Sequence, residues 1–484
     1  MNLRETLSKV VEKLTAPTAH ALTEALFLRL LGVIYIAAFA SVWPQIVGLV
    51  GSHGVSPAVQ LMTGMRASIG ARVYWEMPSL FWVVLSDHAL VWLCVLGCAA
   101  GVLLVLGLLP RWAAIACFAL YLSLVTIGQP FMSFQWDALL LESGFLAMFA
   151  GTSWLVWAYR FLLFRLIFES GVVKLASHDP NWRNFHALRF HFMTQPLPTP
   201  IAYYAYRLPA PVLDGMTAAT LWIELAGPFL LWLPRRLRQT GVGLLVFLQV
   251  VILLTGNYAF FNLLTLALCM WGLDDETFAP LTPILQWRPV LFRLHWPAVW
   301  AWRAVGNVAV VLLVAMGAIQ LLDMFRTGRA FSAPIALLAP FEIVNSYGLF
   351  AVMTTTRPEI VIEGSDNRTD WKEYSFPYKP GNTHRDLPFV APYQPRLDWQ
   401  MWFAALGSYD SNTWVGGLLY RLLTGEPAVV GLLNQPPFPK PPRYMRALLY
   451  DYDFTTPAER SRTGAVWTRQ LKGIWLGPVS LRTP

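Results

Sequence analysis

Apolar runs of about 20 residues recur between positions 25 and 322, and they constrain this chain more than any other feature. A helix of that length crosses roughly 30 Å of hydrocarbon, and in lipid every backbone N–H and C=O must be answered within the chain. Nine candidate spans result, at 25–49, 81–108, 112–128, 137–157, 160–176, 216–233, 240–256, 258–272 and 298–322. The fifth is short and the most charged, and a re-entrant course would suit it as well as a crossing. Only 13% of the 484 residues are charged, against about 25% in an ordinary soluble domain. The formal charge of +8 sits largely at the ends of the apolar runs, where membrane orientation requires it. It forms no basic stripe, which excludes a nucleic-acid partner and leaves membrane lipid as the obligatory one.

After Leu322 the pattern changes. Residues 341–484 hold no run long enough to span, but alternate β-type stretches at 349–354, 359–363, 371–376, 445–454 and 465–470. Amphipathic helices are expected at 397–406 and 414–423, with proline-rich connectors between the elements. The fold class is therefore a polytopic α-helical membrane bundle of about nine spans plus a C-terminal β-rich extramembrane domain with short helices. Its parts are an amphipathic lead-in at 1–23, a helical domain at 24–325 with a loop at 177–215, and the β-rich domain at 341–484. That last domain is expected to rest on the membrane through its tryptophans and tyrosines.

Short loops set orientation. The most basic of them, around Arg235, Arg236 and Arg238, belongs on the cytoplasmic side. That choice puts the N-terminus inside and the loop 177–215 and the C-terminal domain outside. The first apolar run is too long for a signal peptide and lacks a small-residue cleavage site. Cys94, Cys98, Cys117 and Cys269 all fall in apolar segments, so neither a water-side disulfide nor a zinc spacing is available.

A charge at mid-bilayer costs about 2.5–3.5 kcal/mol on insertion scales, so it must be paired or line a polar cavity. Asp137, Glu142, Arg165, Glu169 and Lys174 all lie in the fourth and fifth apolar runs. Arg165 and Glu169 are four apart and can pair along one helix. Lys174 then points to the opposite face of a continuous helix, unless Gly171 breaks it, and needs a partner elsewhere. Glu142 and Glu224 are the carboxylates in reach. A desolvated lysine can also serve as a base. The segment that follows carries His178, Asp179, Trp182, His186, His191 and Gln195. Its histidines lack the spacing of a metal pair, and no HExxH, GxSxG, Walker or GxGxxG context occurs, so no metal is expected.

The stretches QWDALLLESGFLA (135–147), SGVVKL (170–175), DPNW (179–182), TQPLPTP (194–200), WKEY (371–374) and PYQPRLDWQMWF (392–403) carry a resemblance to the lipase maturation factor family. The resemblance implies a polytopic membrane protein that helps secreted lipases, or related exported clients, fold and assemble into active dimers, without a cofactor. In animals such proteins work at the endoplasmic reticulum. The last residues, Leu481 to Pro484, form no retention signal, which sets a bacterial inner membrane beside that location. Residues 170–175 and 179–182 also look like the segment of vitamin K-dependent γ-carboxylases that holds their catalytic lysine. That similarity implies an alternative, a membrane enzyme dependent on a quinone/quinol or another lipid, with Lys174 as base and Arg165, Glu142 or His191 in support. Asp137, Glu169, Trp182, Gln195, Glu224 and Trp399 are the candidates for structural or partner contacts. A transporter finds no support, because no internal repeat is visible.

Overall fold

The computed structural model describes residues 20–281, 299–325 and 332–481, so most of the lead-in expected at 1–23 lies outside the described residues. Three long helices come first, α1 (Ala21–Val42), α2 (Asp87–Leu106) and α3 (Pro110–Ile127). The Ser86 side chain accepts from Ala89 N–H to start α2, left-handed Gly107 ends it, and Pro110 opens α3 at a position that needs no N–H. Where α1 crosses α2, a Cβ on Gly32 would lie 2.7 Å from the Gly101 carbonyl oxygen. Small residues thus let the two backbones touch, the packing on which helices in lipid rely.

Helix α4 (Gln135–Ala147) has 13 residues, about 20 Å at 1.5 Å per residue, and does not cross a bilayer unaided. It gives way to α5 (Leu155–Ala176), which runs unbroken for 22 residues through Gly171. The fifth expected span looked short because its helix begins at Leu155 rather than at 160. A connecting segment carries the short helix α6 (Leu188–Thr194). Next come α7 (Ala210–Ala226), prolonged by a 3-10 segment to Trp232, then α8 (Arg235–Thr255), α9 (Phe261–Cys269) and α10 (Val299–Asp323).

Among the described residues, five helices are long and apolar enough to cross a membrane: α1, α2, α3, α8 and residues 303–323 of α10. Taken singly, the helices do not reach the expected nine. Helices α4, α7 and α9 are too short, and α5 carries Arg160, Arg165, Glu169 and Lys174. Of these, α4, α5 and α9 are interior helices, whose polar groups face one another instead of lipid, while α7 buries one face around Glu224 and leaves the other, with Trp222, exposed.

The C-terminal module is one four-stranded antiparallel sheet in the order β2-β1-β3-β4. Its strands are β1 (Pro358–Ser365), β2 (Lys372–Tyr374), β3 (Tyr444–Phe454) and β4 (Trp467–Val479). Helices α11 (Arg396–Ala405) and α12 (Trp414–Thr424) lie between β2 and β3 in the chain. No strand forms at 349–354, because its backbone groups are engaged elsewhere. Phe350 C=O accepts from Trp182 Nε1 at 2.8 Å, and Met353 N–H donates to the Asp179 carboxylate. Strand β4 runs well past the expected 465–470, through Pro478, which an edge position tolerates.

The module does not merely rest on its surroundings. One apolar core continues from α1 through α5 into α11, α12 and β3. Trp399 and Trp402 are buried, and Trp399 meets Trp136 of α4 edge-to-face with ring centroids 4.8 Å apart.

Polar contacts gather at the two ends of the helical region. At one end Thr23 N–H donates to Asp275, Arg160 Nε donates to Trp271 C=O at 2.7 Å, and Arg235 pairs with Asp274 at 2.7 Å. At the other, Ser52 N–H donates to Asp87, Arg189 pairs with Asp214, and the C-terminal module docks.

Candidate functional site

The charged residues singled out in the sequence fall into three buried clusters along α4 and α5. In the first, Asp137 receives both Nη atoms of Arg396 at 2.9 Å, and Tyr121 Oη donates to the same carboxylate. Arg396 also donates to Phe131 C=O at 2.7 Å. In the second, Arg165 pairs with Glu142 and not with Glu169, its neighbour one turn on. Glu142 Oε2 further accepts from Tyr347 Oη at 2.8 Å and from Asn345 N–H at 3.1 Å. Glu169 instead takes Tyr347 N–H at 2.7 Å, and its other oxygen has no partner among the described residues. The local pair expected between Arg165 and Glu169 is thus replaced by links to Glu142 and to the segment around Tyr347.

The third cluster holds Lys174, whose ammonium meets both oxygens of Glu224 on α7, at 2.8 and 2.7 Å, and the Ser170 carbonyl at 3.1 Å. All three N–H groups are spent, and the Trp182 ring lies over the ammonium at 5.2 Å. Both side chains are buried. A lysine held in this way has no lone pair to offer, so acting as a base would require it first to leave Glu224.

Beside this pair lies a cavity of about 190 Å³, lined mainly by apolar side chains of α5, α7 and α8, with Lys174, Glu224, His191 and Gln249 among its few polar groups. His191 Nε2 lies 3.1 Å from Tyr258 Oη, which donates to Gln195 Oε1 at 2.8 Å; Gln195 Nε2 in turn reaches Thr255 C=O at 2.8 Å. Burial, and then the Lys174 charge, push the His191 imidazole down to about 4, so it is neutral and donates through Nε2. Trp399 does not line this cavity but packs behind it, its ring centroid 5.9 Å from that of Tyr258, at the joint between α4 and α11.

Nothing in the pattern of residues singles out Arg396, Arg357, Tyr347, Asn345 or Gln249. Arg357 is fully buried and donates to the carbonyls of Met193, Gln195 and Pro196 while pairing with Glu359. It pins the proline-rich run 194–200 to the sheet. The one signal for Arg396 was its position in 392–403, a charged residue opening an aromatic helix; its partner, Asp137, was not to be read from there.

Chemically, Asp137 with Arg396 and Lys174 with Glu224 are matched ion pairs, while the middle cluster sets two carboxylates, Glu142 and Glu169, against the one cation Arg165. Among the described residues no group of three or more His, Cys, Asp or Glu is placed to hold a metal ion. The arrangement fastens the C-terminal module to the helices and leaves one apolar cavity beside a neutralised ion pair.

Comparison with known proteins follows the same division. Residues 22–280 match the lipase maturation factor transmembrane domain, and residues 343–476 match the lipase maturation factor C-terminal domain. Lipase maturation factor 2 of Mus musculus is 34% identical over 95% of this chain and 83% of its own length. The Gallus gallus protein of the same name is 34% identical over 92% of this chain and 79% of its own. Lipase maturation factor 1 of Bos taurus is 31% identical over 95% of this chain and 89% of its own. No solved structure gives a significant match.

Proposed function

The chain belongs to the lipase maturation factor family, and from that premise we propose that it is a membrane-embedded folding factor for secreted lipases or related exported clients. The observation that carries the proposal is the match of both halves of the chain, helical region and C-terminal module alike. The buried joint between the halves supports it: a module fixed rigidly to a membrane bundle presents one constant surface to a client during export.

The same proposal gives the bundle nine passes, with α4, α5 and α9 crossing inside the ring of longer helices and α7 crossing within that ring. Contacts at the two ends support this. The starts of α1, α5 and α8 meet the residues after α9 at one end, while Gln195, before α7, bonds the last turn of α8 at the other. The basic turn at Arg235 and Arg238 then faces the cytoplasm, and the C-terminal module faces the side to which clients are exported.

The test is co-expression of the full chain with a panel of secreted lipases, reading lipase activity per mass of secreted lipase. A several-fold rise for at least one lipase is expected. No rise for any lipase overturns the proposal.

The second reading, an enzyme dependent on a quinol or another lipid with Lys174 as base, takes its support from the cavity that reaches Lys174. The bidentate contact with Glu224 weighs against it. A Lys174→Met, Glu224→Leu double variant separates the two. It removes the base while leaving no unpaired charge, so lipase activation survives under the first reading and is abolished under the second.

A further inference from the structure

The cavity beside Lys174 opens between α7 and α8, where Ala219, Thr220 and Ile223 face Phe247 and Val251. Phe247, at 63% exposure, stands at the mouth, on a helix long and apolar enough to face lipid. The two elements close up at their other end, where a Cβ on Gly241 would lie 2.6 Å from Leu230 Cβ. They therefore splay towards the end that carries Lys174 and His191.

At 10–15 Å³ per water-sized group, a 190 Å³ cavity takes on the order of 13–19 such groups, the bulk of one long aliphatic chain. Water is a poor tenant, because a buried water needs two to four polar partners. Here those groups are already engaged: Ser170 Oγ with Leu166 C=O, Thr220 Oγ1 with Met216 C=O, Trp182 Nε1 with Phe350 C=O, and Lys174 with Glu224. Two side chains keep a polar atom without a partner among the described residues, His191, engaged through Nε2 alone, and the amide donor Gln249. Gln249 Oε1 accepts from Asn262 Nδ2 at 2.8 Å, and its Nε2 donates to nothing among the described residues. The charges of Lys174 and Glu224 cancel at close range, so no cation is left over for an anionic head and no carboxylate for a cationic one.

We infer that this cavity binds one aliphatic chain of an uncharged membrane amphiphile, whose carbonyl or ester oxygen accepts a hydrogen bond from Gln249 Nε2. The site requires no catalysis and does not depend on the lipase reading. Its failure would leave the co-expression result untouched.

The test uses the full chain in phosphatidylcholine nanodiscs with a long-chain monoacylglycerol that carries a photoactivatable diazirine on its tail, and maps labelled peptides by mass spectrometry. Label is expected on the cavity-facing peptides of α7 and α8. Ala219→Trp and Thr220→Phe, which fill the mouth, each lower it by about tenfold, and Gln249→Leu lowers it several-fold. The corresponding photoactivatable fatty acid, ionised at neutral pH, labels these peptides far less. Equal labelling in wild type and in whichever mouth variant keeps its thermal midpoint overturns the site. So does labelling confined to lipid-facing positions such as Trp92 and Trp222. Equal labelling by the fatty acid, or by Gln249→Leu, overturns the assignment of the head group.

Discussion

Arg396 and Asp137, 259 residues apart in sequence, form a two-pronged ion pair with both N–O distances at 2.9 Å and both side chains buried. The pair joins the first turn of the module's α11 to the first turn of α4. Removing one partner strands the other charge, so Arg396→Ala or Asp137→Ala is expected to cost about 3–5 kcal/mol. Arg396→Lys should also lose stability, since an ammonium cannot reproduce the fork. Replacing both together with Arg396→Met and Asp137→Leu should recover most of the loss. Thermal unfolding in detergent, with limited proteolysis of the joint between helices and module, reads the result; additive losses in the double variant would refute the coupling.

The same logic applies at Lys174 and Glu224, inside the bundle. Lys174→Ala leaves Glu224 buried without its cation, and about 3–5 kcal/mol of stability should go with it. Lys174→Met combined with Glu224→Leu should stand closer to wild type than either single change. A double-mutant cycle on thermal midpoints measures the coupling, and a value near zero would mean that the two residues do not interact as the structure has them.

How far these pairs were legible in the sequence differs with the physics involved. A charge in an apolar run demands a partner, so Lys174 could be marked and Glu224 named as one of two candidates. For Arg165 the same rule favoured Glu169, one helical turn away, yet the pairing goes to Glu142 across the bundle. Local spacing shows which pairs can form, but only packing decides which one does. The strands at β1 and β3 could be read from alternation, whereas 349–354, equally β-like, is held irregular by Trp182 and Asp179, contacts about 170 residues distant. The division into membrane part and β-rich part was legible from composition. Their fusion through Arg396 and Arg357 was not, because a single arginine at the start of a helix or just before a strand carries no mark of the carbonyls or carboxylate it will meet.

His191 supplies a pH dependence with a definite sign. Its folded value, about 4, lies below the 6.5 of a free imidazole, so the unfolded chain takes up a proton that the folded chain refuses. Stability is therefore fully present above about pH 6.5 and is lost as pH falls towards 4, by about 2 kcal/mol between pH 6.5 and 5. Asp398 and Glu342 act in the opposite sense, because burial raises their carboxyls to about 6 and about 7, and that contribution disappears as pH rises through those values. The measurement is accordingly a difference. Between pH 7 and 5, wild type should lose more thermal stability than His191→Gln, which keeps a donor to Tyr258 without a titrating ring. Parallel curves would show that His191 is not shielded from protons.

Gly417 of α12 marks a second point at which the module presses on the helical region. A Cβ there would lie 2.3 Å from the Val55 carbonyl oxygen, a backbone atom that cannot swing aside as a side chain would. Gly417→Ala must therefore push α12 away from the turn around Val55, although alanine is the better helix former by about 1 kcal/mol. Overpacking of this kind typically costs about 1–3 kcal/mol, so the expected net effect is a modest destabilisation confined to the joint. Hydrogen exchange should rise in α12 and in residues 51–56 while α5 and α7 keep their protection. Gly464, with open space around its Cβ position but a left-handed backbone, is the contrasting site: alanine there strains its own turn and should leave exchange at the joint unchanged. If Gly417→Ala behaved like Gly464→Ala, the close seat of α12 on Val55 would be wrong, and with it the rigid attachment of the module to the helices at this point.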